Sequence, residues 1–229
     1  MLRRGDETDF PAELLLWLSP SFPVGSFAYS HGLETEVAEG RITDAETLAD
    51  WLQVLTVHGS LHNDLILLSL AYRAEDAISL RGVSDLACAL QPSAERSAEA
   101  LVQGENFRAA YLAGWTNGGH TRFDELGRDA SVTLAVAVSI AASDRKLPLL
   151  PTLEAYALGF HSNLVSAAIR LNIIGQFDGQ RILASLLPEM RSAAKSAEFA
   201  TEDDLGNAAL AVDIASMKHE TQKVRLFRS

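Results

Sequence analysis

Thiols are nearly absent from this chain, whose 229 residues include one cysteine, Cys88. A single thiol cannot form an internal disulfide, and it excludes cysteine-rich zinc and iron–sulfur sites. Residues 1–10 also lack the apolar core of a secretory leader. The longest uncharged apolar run, 130–143, is shorter than the roughly 20 residues that span a bilayer. We therefore expect a soluble, cytoplasmic protein in a reducing compartment.

Cations are scarce as well, with 19 lysines and arginines against 30 acidic residues and a formal net charge of −11. Such a chain attracts nucleic acid and anionic lipid only weakly, which favours basic or neutral protein partners. The sequence has no phosphate loop with its lysine, no dinucleotide fingerprint and no Gly-x-Ser-x-Gly motif. We predict neither a nucleotide site nor a cofactor.

Alternation of period two is nowhere sustained, whereas alanine and leucine are abundant, so we predict an all-α, single-domain bundle of about ten helices spanning residues 1–229. Thr43, Ser93, Thr152 and Thr201 are predicted to cap helices, and Pro188 is predicted to end one. A polar loop is expected at 116–129. The predicted helices cover 12–18, 26–39, 43–57, 63–75, 83–90, 93–115, 130–142, 152–174, 178–187 and 191–199, with one more after Thr201.

One stretch between the first two predicted helices contains two prolines, two glycines and four serines around three aromatic side chains. The prolines fix its backbone, and Ser26 is predicted to cap the helix that follows. Tyr29, His31 and Glu34 then offer a hydroxyl, an imidazole and a carboxylate, a pattern that favours recognition over nucleophilic catalysis because adjacency does not provide triad geometry. The stretch reads Ser19-Pro20-Ser21-Phe22-Pro23-Val24-Gly25-Ser26-Phe27-Ala28-Tyr29-Ser30-His31-Gly32-Leu33-Glu34.

The tail, residues 218–229, differs from the rest in charge, because it carries four cations and one anion while the remaining chain carries −14. Leu226 and Phe227 lie between Arg225 and Arg228. This pattern indicates a docking peptide that folds back onto the acidic body or inserts into a partner. We expect the tail and residues 1–10 to be flexible until a partner binds.

Two histidines, His58 and His62, stand four residues apart, which is the spacing of a metal-binding pair on one helical face. Gly59 lies between them, and no glutamate occupies the place that a metalloprotease motif requires. They are weak metal candidates, and the alternative is a pair of surface or junction histidines.

The stretch 19–34 resembles the signature of the UreF family of urease accessory proteins. Further segments match the same family in the same order, and together they span nearly the whole chain. These segments are Ser166-Ala167-Ala168-Ile169-Arg170-Leu171, Gly175-Gln176-Phe177-Asp178-Gly179-Gln180, Asp204-Leu205-Gly206, 213–222 and Arg225-Leu226-Phe227-Arg228-Ser229.

The resemblance implies an all-helical, non-enzymatic chaperone that forms a homodimer and bridges two partners, the scaffold protein UreD (also called UreH) and the nickel-carrying GTPase UreG. The assembly would deliver nickel and carbon dioxide chemistry to apo-urease, where a carbamylated lysine bridges the metals. The terminal segments would become ordered on binding the scaffold.

We expect the stretch 19–34, the turn 175–180 and the tail at 225–228 to form one partner surface. Two alternatives stay open: regulation of GTP hydrolysis by UreG, with Arg170 or Arg228 acting in trans, and direct nickel binding by the two histidines. The candidate partner-binding residues are Phe22, Tyr29, His31, Glu34, Arg170, Gln176, Gln180, Gln222, Arg225, Leu226, Phe227 and Arg228.

Overall fold

Helices account for the regular structure of residues 10–229, the part of the chain that the structure, a computed structural model, describes. This part contains eleven α-helices and two 3₁₀ turns and no strand, so the predicted all-α fold is confirmed. The α-helices are α1 Ala12–Trp17, α2 Leu33–Ala38, α3 Ala45–His58, α4 Ser60–Arg73, α5 Ala77–Ala89, α6 Ala94–Gly114, α7 Arg122–Leu126, α8 Leu134–Asp144, α9 Leu149–Arg170, α10 Gln176–Glu198 and α11 Leu210–His219.

The centre of the bundle is α8, which is apolar on every side and has all of residues 135–142 buried. It packs against α4, α6 and α9, and α10 lies along α9 and also contacts α3. One contiguous apolar core runs through these helices. That continuity supports the single domain, which stays a prediction.

Side-chain caps fix several helix starts close to where the sequence predicts them. The Ser93 hydroxyl accepts a hydrogen bond from the Arg96 N–H at 3.1 Å, as expected. The cap of α3 is Asp44 rather than Thr43, since its carboxylate accepts from the Thr47 N–H at 3.0 Å. Gly59 is both the last cap of α3 and the first of α4, which confirms the predicted junction.

The predicted helix over 26–39 is wrong, because the chain opens between a 3₁₀ turn, Ser26–Ala28, and α2. His31 and Gly32 take left-handed conformations, with φ of 57° and 79°. A Cβ at Gly32 would lie 2.8 Å from the backbone nitrogen of Ser216, so α11 packs directly on this turn. The opened backbone uses its hydrogen-bonding groups elsewhere, on the tail.

Pro188 does not end a helix, since α10 runs through it without a break. Proline inside a helix costs about 3 kcal/mol. Ile182, Leu186 and Met190 recur every four residues and are buried on one face. Each contributes about 1.5–3 kcal/mol by burial, so the continuous face outweighs the proline, which is exposed on the other side.

Three other predicted boundaries shift for local reasons. The loop 116–129 contains α7, which buries Phe123 and Leu126 behind a capping box that begins at Thr121. Helix α9 starts at Leu149, and the Thr152 hydroxyl donates to the Pro148 carbonyl instead of capping. The capping box at Thr201 closes only a 3₁₀ turn, after which α11 begins at Leu210.

No helix within residues 10–229 is both long and apolar enough to cross a membrane. The predictions for residues 1–10, absence of a leader and ordering by a partner, fall almost wholly outside the described residues.

The contact between α6 and the segment before α8 depends on Gly104. A Cβ there would lie 2.6 Å from the carbonyl carbon of Thr133 and closer still to the carbonyl oxygen of Val132. We expect Gly104→Ala to lower the free energy of unfolding by about 1–3 kcal/mol in urea denaturation. Gly82→Ala is the matched control: its Cβ would meet nothing within 4 Å, so stability should stay equal or rise by up to about 1 kcal/mol. Equal losses in both variants would contradict this packing.

Candidate docking surface

The tail crosses the opened stretch and is joined to it by backbone hydrogen bonds. The Arg228 N–H donates to the Ala28 carbonyl at 2.8 Å, and the Ser30 N–H donates to the Ser229 carbonyl at 2.9 Å. Along this segment buried and exposed residues alternate, with Phe227 and Ser229 buried and Leu226 and Arg228 exposed. Backbone and buried side chains therefore hold the tail, and the outward side chains are left free to meet other molecules.

Glu34, in the first turn of α2, anchors the entry to this segment. Its two carboxylate oxygens accept hydrogen bonds from the Leu226 N–H at 2.6 Å and the Phe227 N–H at 3.0 Å. The Glu34 residue is only 6 % exposed. Gln222 positions the chain just before this segment. Its amide oxygen accepts a hydrogen bond from the Thr35 hydroxyl, and its amide nitrogen donates one to the Val224 carbonyl.

A buried carboxylate on α6, that of Glu99, receives the end of the segment. The Ser229 hydroxyl donates to it at 2.6 Å, the Gln103 amide donates at 3.1 Å, and Arg96 forms an ion pair with it. Burial alone would raise the pKa of Glu99, but the Arg96 charge and the contacts from His31 and Ser229 outweigh it and lower that pKa to about 2. Glu99 is therefore ionised beneath the tail.

His31 belongs to the same cluster and is neutral. Its Nδ1 lies 3.0 Å from Glu99, which would suit an ion pair. Burial, followed by the nearby Arg96 charge, lowers the pKa of His31 all the same. With Arg96 already paired to Glu99, a second cation is not needed, so His31 acts here as an uncharged support that also packs edge-on against Phe160.

Arg170, at the end of α9, contacts the tail from the solvent side. Its guanidinium donates to the Phe27 carbonyl, and its carbon Cζ lies 4.3 Å from the centroid of the Phe227 ring. A cation over an aromatic face is worth roughly 0.5–2 kcal/mol. Both contacts engage the guanidinium, so in this chain Arg170 helps to hold the docked tail.

The structure brings together two of the three segments expected to meet. The stretch 19–34 and the tail are in direct contact, whereas no hydrogen bond in the described part of the chain joins Gln176 or Gln180 to either of them. These two glutamines are exposed on the first turns of α10, a short connection after Arg170. Their place in the surface stays a prediction.

Burial divides the other candidates into two groups. Tyr29, His31, Glu34 and Phe227 are buried, and Phe22 packs against the Phe107 ring at 5.0 Å. Of these side chains, Glu34 bonds the tail directly, and Phe227 is the tail's own buried side chain. The exposed candidates are Arg170, Arg225, Leu226 and Arg228.

Sequence reasoning missed several residues of this region. Phe27, Val224 and Phe177 are 69 %, 85 % and 82 % exposed. The sequence signal that could have identified these three residues is an apolar side chain inside a polar turn or a basic tail. Glu95 and His219, which bind each other beneath the tail, carry no such signal because 124 positions separate them.

His58 and His62 do not share a helix, since α3 ends at His58 and α4 begins after Gly59. The Nε2 atom of His62 lies 3.0 Å from the Asp204 carbonyl oxygen. Within residues 10–229 no group of three or more histidine, cysteine, aspartate or glutamate side chains is arranged to hold a metal ion.

A cavity of about 250 Å³ opens beside the Glu99 cluster, between the stretch 19–34 and α9. Asp64 faces it and accepts a hydrogen bond from the Tyr156 hydroxyl at 2.9 Å. Burial raises the pKa of Asp64 to about 6, although the Arg96 charge and the Tyr156 hydroxyl act in the opposite direction. The cavity wall therefore includes a carboxyl group that titrates far above its usual range.

Residues 10–229 thus form an all-helical protein whose tail is held against the body with apolar and cationic side chains exposed. Comparison with known families gives the particular case. Residues 42–187, more than half of the chain, match the UreF family model. The chain belongs to the UreF family of urease accessory proteins and is not itself an enzyme.

Curated relatives match over nearly their full lengths. A urease accessory protein UreF from Xanthobacter autotrophicus is 45 % identical over 238 aligned positions, covering 98 % of this chain and 95 % of the relative. The UreF of Bradyrhizobium diazoefficiens is 44 % identical and covers 94 % and 90 %, and that of Rhodopseudomonas palustris strain HaA2 is 42 % identical and covers 94 % and 92 %. The resemblance predicted from the motifs is confirmed.

The Glu34 anchor predicts how the tail responds to loss of one charge. Glu34→Gln keeps one oxygen acceptor but turns an amide N–H₂ toward a backbone donor. Hydrogen bonds to charged groups contribute about 1.5–3 kcal/mol, so we expect hydrogen-exchange protection at the Phe227 amide to fall at least about tenfold. Glu46→Gln, an exposed change in the first turn of α3, is the control and should leave that amide unchanged. Unchanged protection in Glu34→Gln would refute the anchor.

Asp64 predicts a pH dependence of stability. The folded chain keeps the Asp64 proton up to about pH 6, whereas an unperturbed aspartate releases it near 3.8, so this group makes stability fall as pH rises between these values. The side chain introduced by Asp64→Asn cannot ionise. In urea titrations, the free energy of unfolding of this variant should therefore rise relative to that of wild type by roughly 2–3 kcal/mol between pH 4 and pH 7. The exposed change Asp50→Asn should show no such gain. Parallel pH profiles for wild type and Asp64→Asn would be the contrary result.

Proposed function

We propose that this chain matures urease by bridging the scaffold protein UreD (UreH) and the GTPase UreG, so that nickel is inserted into apo-urease. It acts as a homodimer in the cytoplasm and performs no chemistry of its own. Membership in the UreF family and the naming of its relatives as urease accessory proteins support this proposal.

The observation that carries the proposal is the docked tail. Its outward side chains and those of the stretch beneath it form a composite surface, which we define as Phe27, Val224, Arg225, Leu226 and Arg228. Three of these are large apolar groups that are more than half exposed. An exposed apolar patch with a polar rim is typical of a protein-binding site.

Charge gives the composite surface its expected partner. The tail carries a net charge of +3 on a body of −14, so the surface is a basic rim around an apolar centre on an otherwise acidic protein. Complementary charge favours a partner face with apolar residues surrounded by carboxylates and suppresses self-association through the acidic body. We assign this face to the scaffold partner, because the family resemblance implies that the terminal segments meet the scaffold.

The test uses a variant that changes the outer face and spares the docking contacts. Leu226→Ser with Arg228→Glu leaves the backbone bonds to Glu34 and Ala28 in place. We expect its affinity for the scaffold to fall at least about 30-fold, because the variant loses both a cation and an apolar side chain that the scaffold would bury. The measurement is size-exclusion chromatography with light scattering of the chain, the scaffold and UreG, supported by titration calorimetry.

The matched control is Ile78→Ser with Lys195→Glu, which makes the same changes in charge and apolarity at exposed positions of α5 and α10. It should form the complex like wild type. If the tail variant assembled with unchanged affinity, the composite surface would not be the scaffold site. If wild type formed no complex with scaffold and UreG, the bridging function itself would fail.

A further inference from the structure

His219, the last residue of α11, lies between two carboxylates beneath the tail and is fully buried. Its Nδ1 is 2.6 Å from a Glu95 oxygen, and its Nε2 is 3.0 Å from a Glu34 oxygen. A neutral imidazole has one N–H donor and one lone pair, while an ionised carboxylate only accepts. One of the two contacts is therefore repulsive unless the cluster holds an additional proton.

The other partners of the two carboxylates are N–H donors as well. Both oxygens of Glu34 accept backbone N–H groups from the tail, and the second oxygen of Glu95 accepts from the Arg225 guanidinium at 2.6 Å. Hydrogen bonds to the charged form of a carboxylate favour that form. An N–H on each ring nitrogen of His219 would make both contacts attractive.

We propose that docking of the tail is coupled to protonation of His219, so that the tail is held as an imidazolium complex and is released as that proton is lost. This additional proton is required while the tail is docked. Both carboxylates that require it are bound to the tail, Glu34 through the backbone of residues 226–227 and Glu95 through Arg225.

The remaining charged groups on the packed elements do not replace this proton. On α6, Arg96 is paired with Glu99. Around α2, Arg41 binds Glu36 and Glu39, and Lys218 also binds Glu39. Glu220 accepts from the Ala94 N–H. None of these groups donates to the carboxylate oxygens that face His219.

A second buried histidine shows what the neutral arrangement looks like in this chain. His161 has its Nδ1 3.0 Å from the Ala157 carbonyl and its Nε2 2.9 Å from the Thr56 hydroxyl. The Thr56 hydroxyl has one O–H, which can turn either to the Leu52 carbonyl at 2.8 Å or to His161; in the second orientation one neutral tautomer of His161 satisfies both ring contacts. Burial lowers the pKa of His161, which fits this assignment.

The direct measurement is the nitrogen NMR spectrum of the full chain labelled with ¹⁵N-histidine. At neutral pH we expect both ring nitrogens of His219 to carry protons and His161 to be a neutral tautomer. Finding His219 neutral while the tail is docked would overturn the proposal, and this readout requires no variant of the cluster.

The linked measurement is hydrogen exchange of residues 224–229 between pH 6 and pH 9, corrected for intrinsic exchange. Because one proton is coupled to docking, protection in wild type should fall about tenfold for each pH unit over the range in which the docked tail holds that proton and the undocked tail does not. His219→Gln, which cannot be protonated, should show weaker protection with no such slope, and His161→Gln should keep the wild-type slope. Flat protection in wild type, or a persisting slope in His219→Gln, would refute the coupling. The test needs no partner, so it stands apart from the bridging function.

Discussion

The carboxylate of Glu34 is the constraint on which the docked tail depends. It binds two consecutive tail amides and the His219 ring while being almost fully buried. That geometry requires the chain to open at residues 29–32 so that α2 begins beside the tail. The left-handed turn at Gly32, the close approach of α11 and the path of the tail are therefore parts of one arrangement.

Buried charge makes this arrangement cooperative. Glu34, Glu99 and Arg96 are all buried; Glu99 pairs with Arg96, and Glu34 contacts the His219 ring. Removing one member of a buried pair typically costs about 3–5 kcal/mol, because its partner is left uncompensated. The tail segment therefore docks or opens as a unit, and its outward side chains form the composite surface only when the whole cluster is complete.

The sequence predicted the features that local patterns encode: the all-α class, the uniformly apolar central helix, the Ser93 cap, the basic tail and the family. It failed where distant contacts override local rules. Pro188 is a strong helix breaker, yet the buried face of α10 continues through it. Ser26–Glu39 has the pattern of a helix, yet pairing with the tail opens it. The link between Glu95 and His219 spans 124 positions, and no periodicity connects them.

The central claim, that partners meet the outer face of the docked tail, is tested most directly by hydroxyl-radical footprinting of the chain alone and in its scaffold complex. Phe27 and Leu226 are well exposed in the free chain, as are Ile78 and Phe199 elsewhere. We expect oxidation of Phe27 and Leu226 to fall sharply on binding while that of Ile78 and Phe199 stays constant. Equal oxidation of Phe27 and Leu226 with and without the scaffold would contradict the claim.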